Sequence, residues 1–360
     1  MAIYKIFPEK SATLYSYYPT LNTGLDEILE LGTYLTKEGT NEVSRPIIKF
    51  SQSEISDIIA NKISGAAYDV YLQLSLANAS QLPLDYTIHC HALTDDWNVG
   101  TGKLSNFPIT TNGVSWEYTT ELSGSVWSIG ISGRTGSYSG SNVGGGAWWL
   151  NYDITQSFTH NYSKDIKINI FDIVNGWYIN DIDNNGVILK NNNNIEFTTA
   201  SAFNLKYFSG NTNTIYPPCL EFRWNDSSYN TGSLSSAIAN SVITIGNNQG
   251  TYQQESIQRF KINVRDRFPA RAFQTTSVYL NNKALPEESY YSIKDLDTEE
   301  IVVDYDDIFT RVCCDPTQGN YFDVYMNGLE PERYYKILIK VTLGGTTMVL
   351  DDNYFFKVIR

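Results

Sequence analysis

The chain has 360 residues, with 26 Lys and Arg against 39 Asp and Glu, which gives a formal net charge of −13. This length is typical of two or three domains, each large enough to bury a hydrophobic core. The negative charge repels phosphate backbones and argues against nucleic acid as a partner. Aromatic residues make up 14% and charged residues only 18% of the chain, which excludes a disordered protein and is unlike a helix-rich one.

The N-terminal residues MAIYKIFPEK lack the apolar segment and cleavage site of a secretory signal. No apolar run reaches the roughly 18 residues that a membrane helix needs. Four cysteines are too few for a disulfide framework in a chain of this length. We therefore expect reduced thiols, no membrane insertion, and a chain that is made and folded in a cytoplasm.

Alternation of apolar and polar residues recurs along the chain and predicts β-strands. The clearest runs lie at residues 68–76, 165–170, 219–224, 260–264 and 335–341. Turn-forming Gly, Asn and Ser separate them, which is typical of antiparallel sandwiches rather than of βαβ units. Helical spacing of isoleucines predicts one helix from Ser51 to Ile63, with Ser53 as a candidate cap, and a weaker helix from Ser233 to Ala239.

Two changes in composition suggest how the chain is organised. Residues 130–146 are rich in Gly and Ser and precede Trp148 and Trp149, which predicts a long surface loop or a strand that meets another surface closely. Residues 225–254 are polar and poor in large apolar side chains, so we place a domain boundary there. A separate strand-rich module then begins near Ile257 and contains the basic residues Arg265, Arg267 and Arg271.

The sequence His89-Cys90-His91 is a candidate metal-binding motif. Residues i and i+2 of a strand point to the same face, so the two imidazoles would lie together. Zinc needs at least one further ligand, for which Asp95 and Asp96 follow closely, whereas His160 lies in an unrelated segment. The alternative is a pair of half-buried histidines on a sheet surface.

Asp181, Asp183 and Asn185 place oxygen atoms at alternate positions before Gly186, as at the start of a calcium loop. The twelfth position is Asn192 rather than Glu, and no helix is predicted on either side, which excludes an EF-hand. A looser Ca²⁺ site at these three residues is one possibility. The other is a tight turn, for which Asn-Asn-Gly is well suited.

No catalytic motif stands out: the sequence has no G-x-S-x-G, no phosphate-binding glycine loop and no H-E-x-x-H. We therefore predict a protein that is not an enzyme. All seven Trp precede the proposed boundary, and three roles stay open for them: core packing, protein interfaces and stacking on sugar rings. They are Trp97, Trp116, Trp127, Trp148, Trp149, Trp177 and Trp224.

Several segments, taken in order, resemble the DNRLRE-type domain family of jelly-roll sandwiches, which is related to carbohydrate-binding modules. The resemblance spans about residues 10–226. Its segments are Ala12–Tyr15, Asn22–Gly24, Leu29–Gly32, Arg45–Phe50, Asp95–Trp97 with Gly100, Val114–Trp116, Phe171–Trp177 and Asn185–Leu189 as late strands, and Tyr207–Ser209 with Tyr216–Phe222 as the closing strand.

A domain of this kind without a secretion signal is similar to virion structural proteins of tailed phages, notably the T-even-type phages of marine bacteria and cyanobacteria. The ending Leu329–Ile337 resembles a late strand pair of an immunoglobulin-like domain in such proteins. Alternation, the change in composition and the resemblance together predict an all-β chain. It has a jelly-roll-like antiparallel sandwich at 1–226, an irregular linker at 227–256 and an Ig-like β-sandwich at 257–360.

The function that this resemblance implies is a non-enzymatic part of the tail, baseplate or neck, localised in the virion and released by lysis of the host cell. Its partners would be other virion proteins in a symmetric assembly. The alternative is a carbohydrate-binding module that recognises glycans of the host surface. We expect no cofactor beyond the candidate Ca²⁺. The predicted interface residues are Tyr138, Trp148, Trp149, Arg265, Arg267 and Arg271.

Overall fold

The computed structural model confirms the predicted all-β class with antiparallel sandwiches. It divides into two compact domains, Ile3–Trp224 and Asn225–Arg360. No helix among the described residues has the length and apolar character needed to cross a membrane. The structure describes residues 2–37, 39, 41–128, 134–135, 144–159, 163–196, 203–269 and 282–360.

The N-terminal domain contains two sheets among its described residues. Their strand orders are β1-β13-β5-β10 and β6-β12-β3-β4-β11-β7-β9-β8, with β2 paired to β4. The strands are β1 (Ala2–Ile6), β2 (Pro8–Tyr15), β3 (Ile28–Leu35), β4 (Asn41–Phe50), β5 (Tyr68–Leu74), β6 (Leu76–Ser80), β7 (Asp85–Leu93), β8 (Arg134–Thr135), β9 (Trp148–Thr159), β10 (Ile166–Asn169), β11 (Val187–Asn191), β12 (Phe203–Phe208) and β13 (Cys219–Trp224).

Short helices join some of these strands. A helix was predicted from Ser51 to Ile63, and the structure has α1 (Gln52–Asp57) continued by a π-helical segment (Ile58–Ile63). The N-cap is Ser51 rather than Ser53, and its side chain makes no capping hydrogen bond. The segment from Phe171 was matched to a late strand but is the helix α2 (Phe171–Tyr178). A single turn, α3 (Asn193–Glu196), precedes β12.

The C-terminal domain also contains two sheets in the part that is described, ordered β14-β16-β20-β19 and β15-β23-β21-β17-β18, with β22 paired to β21. A 3₁₀ turn spans Met326–Gly328. The strands are β14 (Ser241–Gly246), β15 (Thr251–Gln253), β16 (Ile257–Asp266), β17 (Ser289–Asp295), β18 (Ile301–Val303), β19 (Cys313–Asp315), β20 (Gly319–Tyr325), β21 (Tyr334–Leu343), β22 (Thr346–Leu350) and β23 (Phe355–Ile359).

The predicted linker at 227–256 is wrong, because this segment belongs to the C-terminal sandwich. Strand β14 pairs with β16, and β15 pairs in parallel with β23. The segment is polar on its exposed side only: Ile243, Ile245 and Tyr252 are buried in the core of this domain. The weak helix prediction at Ser233–Ala239 is also wrong, since Ser236 forms a β-bridge to Ala284.

Tryptophans form the centre of the N-terminal core. Trp97, Trp116 and Trp127, all from the long segment after β7, are buried together with Trp148. Two of their indole nitrogens are satisfied internally: that of Trp97 donates to the Asn185 carbonyl at 3.0 Å, and that of Trp127 to the Ser115 carbonyl at 3.1 Å. For these side chains, core packing is the role that the structure supports.

A fully buried ion pair lies beside these tryptophans. Arg45 on β4 contacts Glu196 of α3 through two nitrogens, at 2.7 Å and 3.2 Å, and neither side chain reaches solvent. The remaining guanidinium nitrogen donates to the Gly145 carbonyl at 2.7 Å. The guanidinium carbon also lies 5.1 Å and 5.4 Å from the ring centroids of Trp116 and Trp148.

Replacing one partner of this pair leaves a buried charge without its counter-charge, which typically costs about 3–5 kcal/mol. We therefore expect Glu196→Gln to lower the free energy of unfolding by about 3 kcal/mol in urea denaturation. The matched control is Glu27→Gln, which removes only an exposed contact to Lys103 at 3.4 Å and is expected to cost less than about 1 kcal/mol. Equal effects of the two variants would contradict the importance of the pair.

Candidate functional site

A groove of about 760 Å³ opens on the N-terminal domain where β2, β3 and β4 come together. Its wall combines aromatic rings with carboxylates, and Leu104 from the segment after β7 completes it. The lining residues are Tyr15, Tyr17, Tyr18, Glu30, Tyr34, Leu35, Thr36, Lys37, Glu42 and Leu104.

Three tyrosines present their rings to solvent at this groove. Tyr17 is 59% exposed, Tyr18 42% and Tyr34 38%. Tyr17 and Tyr18 pack edge to face, with centroids 4.7 Å apart. The preceding Ser16 fixes their position, because its hydroxyl accepts the Val43 backbone N–H at 2.8 Å and donates to the Glu42 carboxylate. Tyr17 and Tyr18 thus lie in the turn after β2, and Ser16 ties the start of this turn to β4.

Glu30 is the buried polar centre of the groove wall. The Tyr34 hydroxyl donates to its carboxylate at 2.5 Å, and the Asn204 amide donates at 3.3 Å. The Lys206 ammonium lies 2.7 Å from the other oxygen. Lys206 is opposite Glu30, and Asn204 opposite Gly32, in the β12–β3 register, so sheet pairing places these partners.

Burial changes the protonation equilibria around the groove. It raises the pKa of Tyr15 and, together with the Glu30 carboxylate, that of Tyr34, so both hydroxyls stay protonated and able to donate. Burial also raises the pKa of Asp26 to about 6, against the opposing hydrogen bond from the Leu104 backbone. Asp26 is therefore largely ionised at neutral pH and partly protonated in weak acid.

This shift predicts a pH dependence of stability. Between pH 3.8 and about 6, Asp26 holds a proton in the folded chain that it releases in the unfolded chain. Its contribution to stability is therefore fully present below pH 3.8 and is lost as the pH rises through about 6. We expect Asp26→Asn to remove this loss, so that the melting temperature of the variant gains on that of the native chain between pH 4 and pH 7. Calorimetric melts across this range measure it.

Asn keeps an oxygen that can accept the Leu104 N–H, so the variant changes the charge more than the geometry. Asp85→Asn, at an exposed position, is the control for the loss of a carboxylate charge. A melting-temperature difference for Asp26→Asn that is no more pH-dependent than that for Asp85→Asn would refute the assignment.

The His89-Cys90-His91 motif lies on β7, with its two rings nearly parallel and their centroids 6.0 Å apart. The predicted further ligands are wrong: Asp96 pairs with Lys10 and Lys49, and Asp95 accepts the Ser128 N–H. Instead Asp153 of β9, opposite His91 in the register, faces both rings. Asp153 could not be recognised from the sequence, because it lies 62 positions beyond His91. The third histidine, His160, falls outside the described residues.

Two of the three predicted calcium ligands, Asp181 and Asn185, bond to other protein groups. Asp181 accepts the Tyr152 hydroxyl at 2.6 Å, and the Asn185 amide donates to the Thr94 carbonyl at 2.9 Å. Neither Asp181 nor Asp183 belongs to a metal-type cluster of His, Cys, Asp or Glu among the residues described. Asn185 is buried and stabilises the turn before β11. A tight turn is the second of the two possibilities that the sequence left open for this segment.

The structure describes four of the six predicted interface residues. Trp148 is wrong as a contact residue, because its side chain is only 4% exposed and stacks on His91 at 5.4 Å. Trp149 and Arg265 are partly buried, and Arg267 is exposed. Tyr138 and Arg271 lie outside the described residues. Gly144, Gly145 and Gly146, the described end of the Gly/Ser segment, are buried and precede β9, which begins at Trp148.

These features define a two-domain all-β sandwich protein with an aromatic groove and a histidine–carboxylate cluster. No protein-family model matches the chain, and the search of curated proteins found no match. A structure of a DUF4785 family protein from Legionella pneumophila shares 6% identity over 98% of this chain, with a TM-score of 0.19; the match covers 66% of that protein.

A second match is to a structure of botulinum neurotoxin type C, whose cell entry is described as dependent on interaction with two ganglioside molecules. It has 8% identity and a TM-score of 0.16, and covers 97% of this chain and 67% of that one. At such TM-scores neither likeness supports an argument about fold or function.

Proposed function

We propose that this chain is a non-enzymatic carbohydrate-binding protein and that the tyrosine groove is its binding site. The observation on which this rests is the set of three exposed rings, Tyr17, Tyr18 and Tyr34, next to the Glu30 and Glu42 carboxylates. Aromatic faces stack on the C–H faces of sugar rings, while carboxylates accept hydrogen bonds from sugar hydroxyls.

The size and the anchoring of the groove support the proposal. Ligand sites are usually preformed concavities of about 300–1,000 Å³ in which a few polar groups fix orientation, and this groove holds about 760 Å³. Ser16 and Glu30 are tied to neighbouring strands, so little ordering is required on binding. Pre-organisation of this kind lowers the entropic cost of association.

The charges favour neutral sugars over acidic ones. Glu30, Glu42 and nearby Asp26 contribute negative charge, against the positive charges of Lys37 in the lining and of Lys206, which is already paired with Glu30. The chain as a whole carries −13. An added uronate or sialate carboxylate would be repelled by this field. We therefore expect selectivity for neutral, hydroxyl-rich oligosaccharides.

The test is a calorimetric titration against a panel of neutral and acidic oligosaccharides. Neutral members should bind, and Tyr17→Ala should weaken binding by about tenfold, equivalent to about 1.4 kcal/mol, because a stacking face is lost. Tyr34→Phe should keep the ring but lose the hydroxyl that donates to Glu30, and so weaken binding less.

Tyr216→Ala is the matched control, since Tyr216 is 52% exposed in the same domain but does not line the groove. It should bind as the native chain does. Flat titrations across the whole panel would refute the proposal, as would a Tyr17→Ala variant that is folded by circular dichroism and binds with native affinity.

A virion structural role is the second candidate, proposed from the resemblance. An exposed apolar patch on the C-terminal domain favours a protein contact: Ile308 is 44% exposed, Phe309 41% and Tyr325 59%, around a hollow of about 330 Å³. Contiguous exposed apolar surface marks interaction sites. The partners would be other virion proteins, and the role is compatible with glycan binding in the other domain.

Immunogold labelling of purified phage particles, with antibody raised to the recombinant chain, tests this role. Discrete labelling at one place on the particle is the expected result and would locate the protein in tail, neck or head. Recovery of the chain only from the soluble lysate, with unlabelled particles, would remove the virion role and leave the glycan-binding proposal untouched.

A further inference from the structure

The face of the sheet around β7 and β9 brings together three metal-type side chains. His89 and His91 are two residues apart on β7 and so lie on the same face of the sheet, and Asp153 lies opposite His91 on β9. One donor atom from each residue lies within 4.8 Å of the others. We propose that His89, His91 and Asp153 form a binding site for zinc or a similar divalent transition metal ion, independent of the tyrosine groove.

The distances fit a single ion. Ligands at about 2.1 Å around a tetrahedral zinc ion lie about 3.4 Å from one another. His89 Nδ1 lies 2.9 Å and 3.2 Å from the two Asp153 oxygens, and His91 Nε2 lies 3.6 Å from the nearer one. The two donor nitrogens lie within 4.8 Å of each other, so a bound ion would draw the side chains together by rotation on an unchanged pair of strands.

The donor set selects the class of metal. Two imidazole nitrogens and one carboxylate suit zinc and other first-row transition metals, whereas Ca²⁺ and Mg²⁺ prefer oxygen ligands. The Asp153 side chain is 39% exposed and that of His91 only 8%. An ion would therefore rest on a buried floor with its fourth position open to water, as in zinc sites with three protein ligands.

The nitrogens that face away from the proposed ion lie in the interior of the domain. His89 Nε2 is buried and has no hydrogen-bond partner among the described residues, and the Tyr152 backbone interacts with His91. The tautomer of His89 is therefore not fixed by a second hydrogen bond. Metal-bound imidazoles usually donate their other N–H to an acceptor, and the lack of one lowers metal affinity. We expect the site to bind zinc more weakly than a dedicated structural zinc site.

Lys190 on β11 is next to the same cluster, and its positive charge would repel a bound cation. It lies opposite His89 in the β11–β7 register, and its ammonium donates to the Asn191 carbonyl at 2.8 Å and lies 3.5 Å from Glu196. Glu196 is shared with Arg45. The Lys190 charge is thus held by partners of its own rather than by Asp153 alone.

The test uses the full chain without a histidine tag, stripped with chelator and titrated with Zn²⁺ in a calorimeter. About one ion per chain should bind. Co²⁺ should show the intense visible absorption of a low-coordinate site with nitrogen ligands. Asp153→Asn and His89→Gln, both at partly exposed positions, should weaken Zn²⁺ binding by about tenfold or more.

Asp85→Asn is the matched control, because Asp85 is an exposed carboxylate on the same strand, and it should leave the affinity unchanged. Thermal melts of each stripped variant establish that it is folded. Absence of Zn²⁺ binding at micromolar concentrations would overturn the proposal. Binding of equal affinity in folded Asp153→Asn and His89→Gln chains would also overturn it, since the ion would then lie elsewhere.

Discussion

The buried Arg45–Glu196 ion pair is the constraint on which the N-terminal domain depends. An unpaired guanidinium in this core would be strongly unfavourable, so β4, α3 and the Gly145 turn have to meet in one arrangement. Gly145 has a φ of +83°, and a Cβ there would lie 2.7 Å from the Arg45 guanidinium and 2.6 Å from Trp116. The turn therefore requires glycine both for its backbone and for space.

Both candidate sites lie on strands that are connected to this ion pair through the sheet. Glu42 and Arg45 lie on the same strand, and β4 pairs with β3, which contributes Glu30 and Tyr34 to the groove. On its other side β4 pairs with β11, which in turn pairs with the histidine strand β7. Glu196 also contacts Lys190. The two sites thus share one sheet but no lining residue.

Much of the fold could be predicted from local pattern, because alternation depends only on which face of a strand is buried. The strands at 165–170 and 219–224 and the helix after Ser51 followed from such patterns. The linker prediction failed since β14 and β15 are short strands with polar outer faces. Phe171–Trp177 was matched to a late strand through the family resemblance, whereas the structure has the helix α2 (Phe171–Tyr178) there.

The sites were harder to predict, because long-range register creates them. The H-x-H motif was visible, but its carboxylate partner comes from β9 through strand pairing, not from the Asp95-Asp96 pair that is near in sequence. For the groove, adjacent Tyr17-Tyr18 was the available signal in the sequence. The contact aromatics were instead predicted at tryptophans, and Trp148 is part of the core. Exposure of an aromatic residue depends on which segment covers it, and no local pattern encodes that.

The charge arrangement gives the histidine cluster its own selectivity. Arg45 and Lys190 balance Glu196 and Asp153, so with neutral imidazoles the region has no excess negative charge to attract a cation from a distance. Hard cations, which bind through charge and oxygen ligands, gain little there. A transition metal ion gains bonds to two nitrogens, which do not depend on net charge. The acidic surface of the chain attracts all cations by charge. The neutral histidine cluster, in contrast, selects among them by the ligand atoms that each ion prefers.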